Sequence, residues 1–285
     1  MSVRHRGKKN IPWKVAVVTG GGNGIGRELC LRLANMGCFV AVNDILLESA
    51  HETVNLIRQN GGNADPYIFD VRDEEACSFC ISTVESTHGN IDLLINNAGA
   101  VAIGDFGQTP TSSWHRIMDI NFYGQLNMTK AVYPQMLKRQ QGYIVFVSSI
   151  AGLAFQPLTG SYSASKHALV GMACTLFQDA KPNGIHISIA CPGYVDNTSI
   201  FTEAESYGYH PAIVRNLLAK KIGGFTTPGT AAKKILTSVR RKKIFIVFPF
   251  NARLLWFFFR LMPALTVRYS SFLIKMVSKA KTTVE

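Results

Sequence analysis

The feature that most constrains this chain is an octapeptide, Thr19-Gly-Gly-Gly-Asn-Gly-Ile-Gly26, set between an apolar run, Val15 to Val18, and a helical pattern, Arg27 to Met36. Strand, glycine turn and helix in that order let a ligand approach the backbone, because Gly20, Gly24 and Gly26 carry no Cβ to intrude. The helix that starts there points free N–H groups and its positive dipole end into the turn, which suits a diphosphate. Asn23 and Ile25 of the same loop are counted with the binding residues. The next apolar run ends at Val42-Asn43-Asp44, 18 residues beyond Gly26, where a dinucleotide fold needs a carboxylate for the adenosine ribose hydroxyls. Asp44 also repels a 2′-phosphate, and no Lys or Arg lies between Thr19 and Gly26 or just after Asp44. The pattern therefore favours NAD, with NADP the weaker candidate.

Seven short apolar runs punctuate the chain: Val15 to Val18, Phe39 to Val42, Tyr67 to Phe69, Leu93 to Ile95, Ile144 to Val147, Ile185 to Ile189 and Ile244 to Phe248. Most are continuous rather than alternating, as in strands covered on both faces, and the segments between them are long enough for crossover helices. This predicts an α/β fold with a single Rossmann-type, doubly wound, parallel seven-stranded sheet. The expected organisation is a basic arm over 1–13, one Rossmann-type domain over 14–250 and a basic, apolar helical extension over 251–285.

Composition removes several other classes. A chain of 285 residues with 47% hydrophobic and 17% charged residues buries a sizeable core, which excludes intrinsic disorder. Six scattered cysteines form no disulfide framework and suggest a reducing, cytoplasmic compartment. Cys77 and Cys80 form a lone C-x-x-C inside a helical stretch, Asp73 to His88, so no metal site is expected. The net charge of +12 is segregated: residues 1–14 carry five basic groups and no acid, residues 15–214 carry 10 basic and 17 acidic groups, and residues 215–285 carry 15 basic groups against Glu285. A slightly acidic body with basic ends is not a nucleic-acid groove. No targeting peptide is expected, and Ile244 to Leu265 is too interrupted by Pro249, Asn251, Arg253, Arg260 and Pro263 to span a membrane.

Further along stand Asn96-Asn97-Ala98-Gly99, Asn121, Ser148-Ser149 and Tyr162-Ser-Ala-Ser-Lys166. Tyr162 and Lys166, four residues apart, share one helix face, and an ammonium near a phenol favours the phenolate. In type, order and spacing these motifs, with Phe69-Asp-Val71 and Pro192-Gly-Tyr-Val195, resemble the short-chain dehydrogenase/reductase family from roughly Lys14 to Ser199, and more loosely to Phe250.

The resemblance implies roles. Asp70 and Val71 contact the adenine, Asn97 supports the strand end beneath the adenosine, and Pro192, Gly193 and Val195 cover the nicotinamide. The family's carboxamide-binding threonine falls at Asn197, with Thr198 next to it, and both are candidates for that contact. Tyr162 exchanges the hydroxyl proton while hydride passes between the alcohol carbon and the nicotinamide. Lys166 lowers the Tyr162 pKa and binds the ribose, Ser149 donates to the substrate oxygen with Ser148 as the alternative serine, and Asn121 holds a water that relays protons from Lys166.

The segment Thr198 to Thr227 is expected to set specificity. Phe201, Tyr207, Tyr209 and Phe225, with Ile200 and Ile213, form a candidate lipophilic pocket under a lid hinged at Gly208, Gly223 and Gly224. The basic, apolar ending from Arg240 to Trp256 is similar to the C-terminal region of retinoid and hydroxysteroid dehydrogenases of endoplasmic reticulum and lipid droplets, so a peripheral membrane or lipid-droplet contact is expected. Arg253, Arg260, Arg268, Lys275 and Lys279 fall on one side of the tail, beside Trp256, Phe257 and Phe258. Packing of the tail on the body or on a partner subunit is the other reading, and a homo-oligomer is expected. The expected substrate is a small lipophilic alcohol, ketone or aldehyde. The alternatives are a 3-oxoacyl-carrier-protein-type reductase, whose basic tail docks an acidic carrier, and a non-catalytic scaffold on the same fold.

Overall fold

The computed structural model describes residues 12–196, 200, 204–212, 214, 216 and 225–268. Seven strands form one parallel sheet: β1 (Val15–Val18), β2 (Phe39–Asp44), β3 (Asn63–Ile68), β4 (Leu93–Asn96), β6 (Gly142–Val147), β7 (Ile185–Pro192) and β9 (Phe245–Phe248), in the order β3-β2-β1-β4-β6-β7-β9. The register sets Val15 against Phe39 and Ala16 against Leu93. Because side chains alternate along a strand, the two faces of the sheet feed two separate cores. Ala16, Val18, Leu93 and Ile95 pack with α1 (Gly24–Asn35), α2 (Leu47–Gln59) and α7 (Pro228–Arg240). Val15, Val17 and Leu94 pack with α3 (Glu74–His88), α5 (Gly124–Arg139) and α6 (Gly160–Ala180). Both faces are covered, which is why the strands read as unbroken apolar runs.

The differences from the sequence reading have physical causes. β3 begins at Asn63 rather than at Tyr67. It is an edge strand paired only with β2, so it needs no apolar run and tolerates Pro66. Helix α1 begins at Gly24, inside the glycine run, rather than at Arg27. Two three-residue strands, β5 (Ala102–Gly104) and β8 (Glu205–Tyr207), pair in parallel across about a hundred residues of chain and form a second small sheet. Between α4 (Thr111–Met118) and α5, residues Asp119–Tyr123 form a π-helical turn. All six cysteines are free thiols, and burial pushes those of Cys77 and Cys80 up to about 12. Among the described residues, no helix is long and apolar enough to cross a membrane.

Strand order reverses between β1 and β4, and there the two chains must part. Their ladder ends at Val18 and Ile95, and a side-chain clasp takes over. The Thr19 hydroxyl oxygen accepts from the Asn97 and Ala98 amides at 3.0 and 3.1 Å, while Asn97 Nδ2 donates to the carbonyls of Thr19 and Gly20, each at 3.0 Å. Thr19→Val keeps the shape and leaves both amides without this acceptor. The expected cost is about 1–3 kcal/mol in urea unfolding, with the m-value unchanged.

Candidate active site

One open cleft runs along the carboxyl ends of β1, β2, β4, β6 and β7, at the point where strand order reverses. Its first half is built on the glycine loop. Gly20 has a positive φ of +60°, and an added Cβ would stand 3.0 Å from the Ala98 Cα. A Cβ on Gly26 would lie 1.9 Å from the Gly20 carbonyl oxygen, so the first turn of α1 rests directly on the loop. Gly20, Asn23, Gly24 and Ile25 line the cleft, whereas Gly26 lies behind the wall as packing support. Helix α1 begins at Gly24, so its first turn starts at the cleft wall.

Asp44, at the end of β2, is 7% exposed and lines the same wall. One of its oxygens accepts from the Gly22 amide at 2.8 Å and the other from the Leu46 amide at 3.0 Å. Gly22, which the sequence reading left without a role, is gripped from both sides. Its carbonyl accepts from Arg27 Nε at 2.8 Å, and Arg27 is turned outward to an ion pair with Glu52 at 2.6 Å. Asp70 and Val71 line the cleft further along. Burial pushes the Asp70 carboxyl up, but bonds from the Arg72 guanidinium and amide outweigh it and hold the group below the ordinary carboxylate range. Asn97 lies between the halves and Pro192, Gly193 and Val195 close the far side.

The second half gathers the candidate catalytic residues. Tyr162 and Lys166 stand one turn apart on α6, with Lys166 Nζ 5.6 Å from the Tyr162 ring centre. Lys166 is 2% exposed and donates to the Val147 carbonyl at 3.0 Å. Ser149 follows β6, accepts from the Ala151 amide at 3.1 Å and is hydrogen-bonded to Tyr162. Ser148 points elsewhere and donates to the Lys166 carbonyl at 3.2 Å, which separates the two serines. Burial pushes the Tyr162 phenol up to about 12 against the downward pull of Ser149, and burial brings the Lys166 amine from 10.5 to about 8. The expected depression of Tyr162 by Lys166 is not the dominant effect in the protein alone, because desolvation disfavours both charged forms.

Asn121 is fully buried in the π-helical turn. Its Nδ2 donates to the Ala100 carbonyl and to Ser165 Oγ, both at 2.9 Å, and its Oδ1 accepts from the Ala100 amide at 2.8 Å. The side-chain amide thus braces the β4 exit against α6, beside Lys166. The extra residue of a π turn is the device that brings it there.

Val101, Ile120, Ile150 and Ile200 give the outer cleft an apolar wall, with Arg116 and Gln156 as polar groups that the sequence reading missed. Arg116 is held by Glu205 of β8 at 2.6 Å, and Gln156 donates to the Tyr194 hydroxyl. Of the expected aromatic lining, Tyr209 is buried with its hydroxyl on Asp105, and Phe225 meets Tyr194 edge-on. Tyr207 donates to Glu205. Asn197, Thr198, Phe201, Ile213, Gly223 and Gly224 lie outside the described residues.

A sequence model of the short-chain dehydrogenase family matches residues 14–207. An oxidoreductase of Thermotoga maritima is 37% identical over 197 residues, covering 69% of this chain and 78% of the relative. A 3-oxoacyl-acyl-carrier-protein reductase from the same organism is 31% identical over 183 residues, covering 64% of this chain and 74% of the relative. A crystal structure of a short-chain dehydrogenase/reductase from Burkholderia phymatum in complex with NAD superposes with a TM-score of 0.76 at 27% identity, covering 82% of this chain and 88% of that one.

Burial of Lys166 has a measurable sign. Below pH 8 both folded and unfolded chains carry the proton, and the folded state bears the full penalty of burying it. Between about 8 and 10.5 the folded state sheds its proton first and the penalty fades. Lys166→Met is therefore expected to raise the melting temperature of the ligand-free protein at pH 7, by the equivalent of roughly 3 kcal/mol at most. The gain should shrink steadily towards pH 10.5, as read by calorimetry across that range.

Proposed function

The chain belongs to the short-chain dehydrogenase family, and from that premise we propose an NAD-dependent oxidoreductase that interconverts a lipophilic alcohol with its ketone or aldehyde. The observation that carries the reading is convergence: Tyr162, Ser149 and Lys166 line the same cleft whose other end is the glycine loop and Asp44. The cradle fits a dinucleotide, because Gly20 and Gly24 line it without a Cβ, both in the left-handed region, and the first turn of α1 begins there. We assign Gly20, Asn23, Gly24 and Ile25 to the diphosphate, Asp44 to the adenosine ribose, and Asp70 and Val71 to the adenine. Asn97 underpins the loop, and Pro192, Gly193, Val195 and one of Asn197 or Thr198 belong to the nicotinamide end. NAD is favoured over NADP because Asp44 lines the cleft wall beside the glycine loop, where a 2′-phosphate would meet its carboxylate, and Arg27 is turned away to Glu52. The Burkholderia relative, solved with NAD, supports the same choice.

When bound, the nicotinamide supplies the hydride acceptor or donor. In this reading the chain's own groups handle the proton. Tyr162 Oη takes it from the alcohol or returns it to the carbonyl oxygen, and Ser149 Oγ hydrogen-bonds that oxygen as its charge changes. Lys166 holds the nicotinamide ribose and favours the phenolate once charged. Asn121 keeps the β4 exit and α6 at a fixed separation, so the proton path beside Lys166 stays in register. The apolar outer wall supports a lipophilic substrate of the steroid, retinoid or fatty-acyl kind. We also propose a homo-oligomer on the cytoplasmic side, peripheral to a membrane or lipid droplet.

Tyr162→Phe should fold and bind NAD in a calorimetric titration, yet lose turnover by several orders of magnitude on a panel of steroid, retinoid and short acyl substrates. Full activity in this variant would end the assignment, and no turnover of any of these substrates by the wild-type chain would favour a scaffold. Wild-type kcat/KM should favour NAD over NADP by about tenfold or more, and Asp44→Ala should narrow that ratio. Preference for NADPH with acyl-thioester ketones would instead select the oxoacyl reductase reading.

A further inference from the structure

Among the described residues that line the cleft, three carry a positive charge: Arg72, Arg116 and Lys166. Arg72 is bound to Asp70 through Nε at 2.8 Å and Nη2 at 2.5 Å, and Lys166 belongs to the candidate catalytic residues. Arg116 has no such task. It stands on α4 about one turn before Ile120, which also lines the cleft and adjoins Asn121 in sequence. Its side chain is 34% exposed, and Glu205 holds it from one side. Arg116 Nε lies 2.6 Å from Glu205 Oε1, while Glu205 Oε2 accepts from Ser113 Oγ at 2.6 Å and from the Tyr207 hydroxyl at 2.9 Å. Burial pushes the Glu205 carboxyl up, but these two bonds and the Arg116 charge outweigh it and hold the group below the ordinary carboxylate range, so it stays ionised. Glu205 is itself fixed by β8, opposite Ala102 of β5, and the preceding residue, Val101, packs in the apolar cluster that includes Tyr162. Fixed groups thus place a guanidinium at the substrate end of the cleft.

We propose that Arg116 binds a carboxylate of the substrate, so that the alcohol or ketone this cleft takes is a lipophilic hydroxy or oxo acid, an inference that rests on the oxidoreductase reading above. A guanidinium is a planar fork of five N–H donors that meets a carboxylate with two parallel bonds. Glu205 occupies the Nε side of that fork, and Nη1 and Nη2 donate no hydrogen bond to any described residue. The Glu205 carboxylate therefore aims the guanidinium and leaves its outer end for a ligand. Because Glu205 also offsets much of the guanidinium charge, the place suits a monoanion better than a phosphate dianion. Between Arg116 and the Tyr162 end, the apolar wall of Val101, Ile120, Ile150 and Ile200 takes the hydrocarbon. A substrate with an acid at one end, an apolar span and a hydroxyl or oxo group at the other matches that order. If the Arg116 and Glu205 pair were only a latch between α4 and β8, its loss would act on acids and neutral substrates alike.

The test is kcat/KM of the full-length chain with NAD for 3-, 5-, 7- and 9-hydroxydecanoate, each against its methyl ester. The ester is the more apolar member of each pair, so burial in an apolar cleft alone favours it. The expected result is a preference for the acid of about tenfold or more at one or more hydroxyl positions, expressed in KM more than in kcat. Arg116→Gln should lower that acid-to-ester ratio by about tenfold, and Arg116→Lys, which keeps the charge beside Glu205 but loses the fork, should fall between. Damage to the fold lowers both members of a pair and leaves the ratio as in the wild type. That result, or a wild type that prefers the ester at every position, overturns the proposal. Decanoate titrated calorimetrically into the NAD-bound protein reads the same contact without turnover. It should bind more tightly than decanamide, and Arg116→Gln should remove the difference. If decanoate behaves in this way while no hydroxydecanoate or ester is turned over, the carboxylate site stands and the oxidoreductase reading falls. If the alcohols are turned over but decanoate binds no more tightly than decanamide, the oxidoreductase reading stands and the carboxylate site falls.

Discussion

Where β1 and β4 separate, each has lost its ladder partner while the next segments leave in opposite directions, and the Thr19 and Asn97 side chains supply the missing hydrogen bonds. A doubly wound sheet cannot avoid this gap, because the crossovers on its two sides cover opposite faces. Left unpaired, the backbone groups there would carry a desolvation penalty or let water in. The clasp removes that penalty and fixes the width of the crevice. Gly20 can then take its left-handed turn, and Gly26 can bring the first turn of α1 down onto it. Asp44 and Arg27 grip the outer turn of the loop through Gly22. The loop is thus held at both ends by side chains, and its own residues are left to meet a ligand.

The other half of the site has the opposite character. The clasp satisfies polar groups, whereas Tyr162 and Lys166 are held where burial disfavours charge on either. Such an arrangement persists only when its surroundings over-determine it. Val147 takes a bond from Lys166, Ser148 ties the Lys166 carbonyl, and Asn121 with Ser165 locks α6 to the β4 exit. A phenol held near 12 and an amine near 8 are groups whose protonation answers strongly to any new charge brought beside them.

Much of this was legible in the sequence. Six of the seven strands of the main sheet announced themselves as apolar runs, because both faces are covered. The edge strand β3 was legible only in part, since half-exposed residues such as Asp65 and Pro66 carry no such signal. Tyr162 and Lys166 were legible through helix spacing, and Asp44 through its distance from the glycines. Gly22 was not, because its importance lies in a bond to Asp44 from the opposite end of a βαβ unit. The brace at Asn121 depends on a π turn, for which a single sequence has no periodic mark. Arg116 and Gln156 were missed because their partners, Glu205 and Tyr194, are distant in sequence.

That last group separates the chemistry from the selectivity. The candidate catalytic residues sit on long elements, α6 and the ends of sheet strands, whose positions follow from local periodicity and continuous burial. The outer cleft is held instead by pairings between remote segments: β5 with β8, Val195 with Thr226, and Gly193 with Phe248. Each involves only a few residues, brought together from segments far apart in the chain. The last helix, α8 (Phe250–Leu261), enters the same set through Gly193 and Phe155. Helix α8 and the walls of the outer cleft are therefore one mechanical unit. Tyr162 itself packs against the small cluster of Val101, Ile103, Tyr194 and Tyr209, so a change in the outer cleft is felt at the phenol directly.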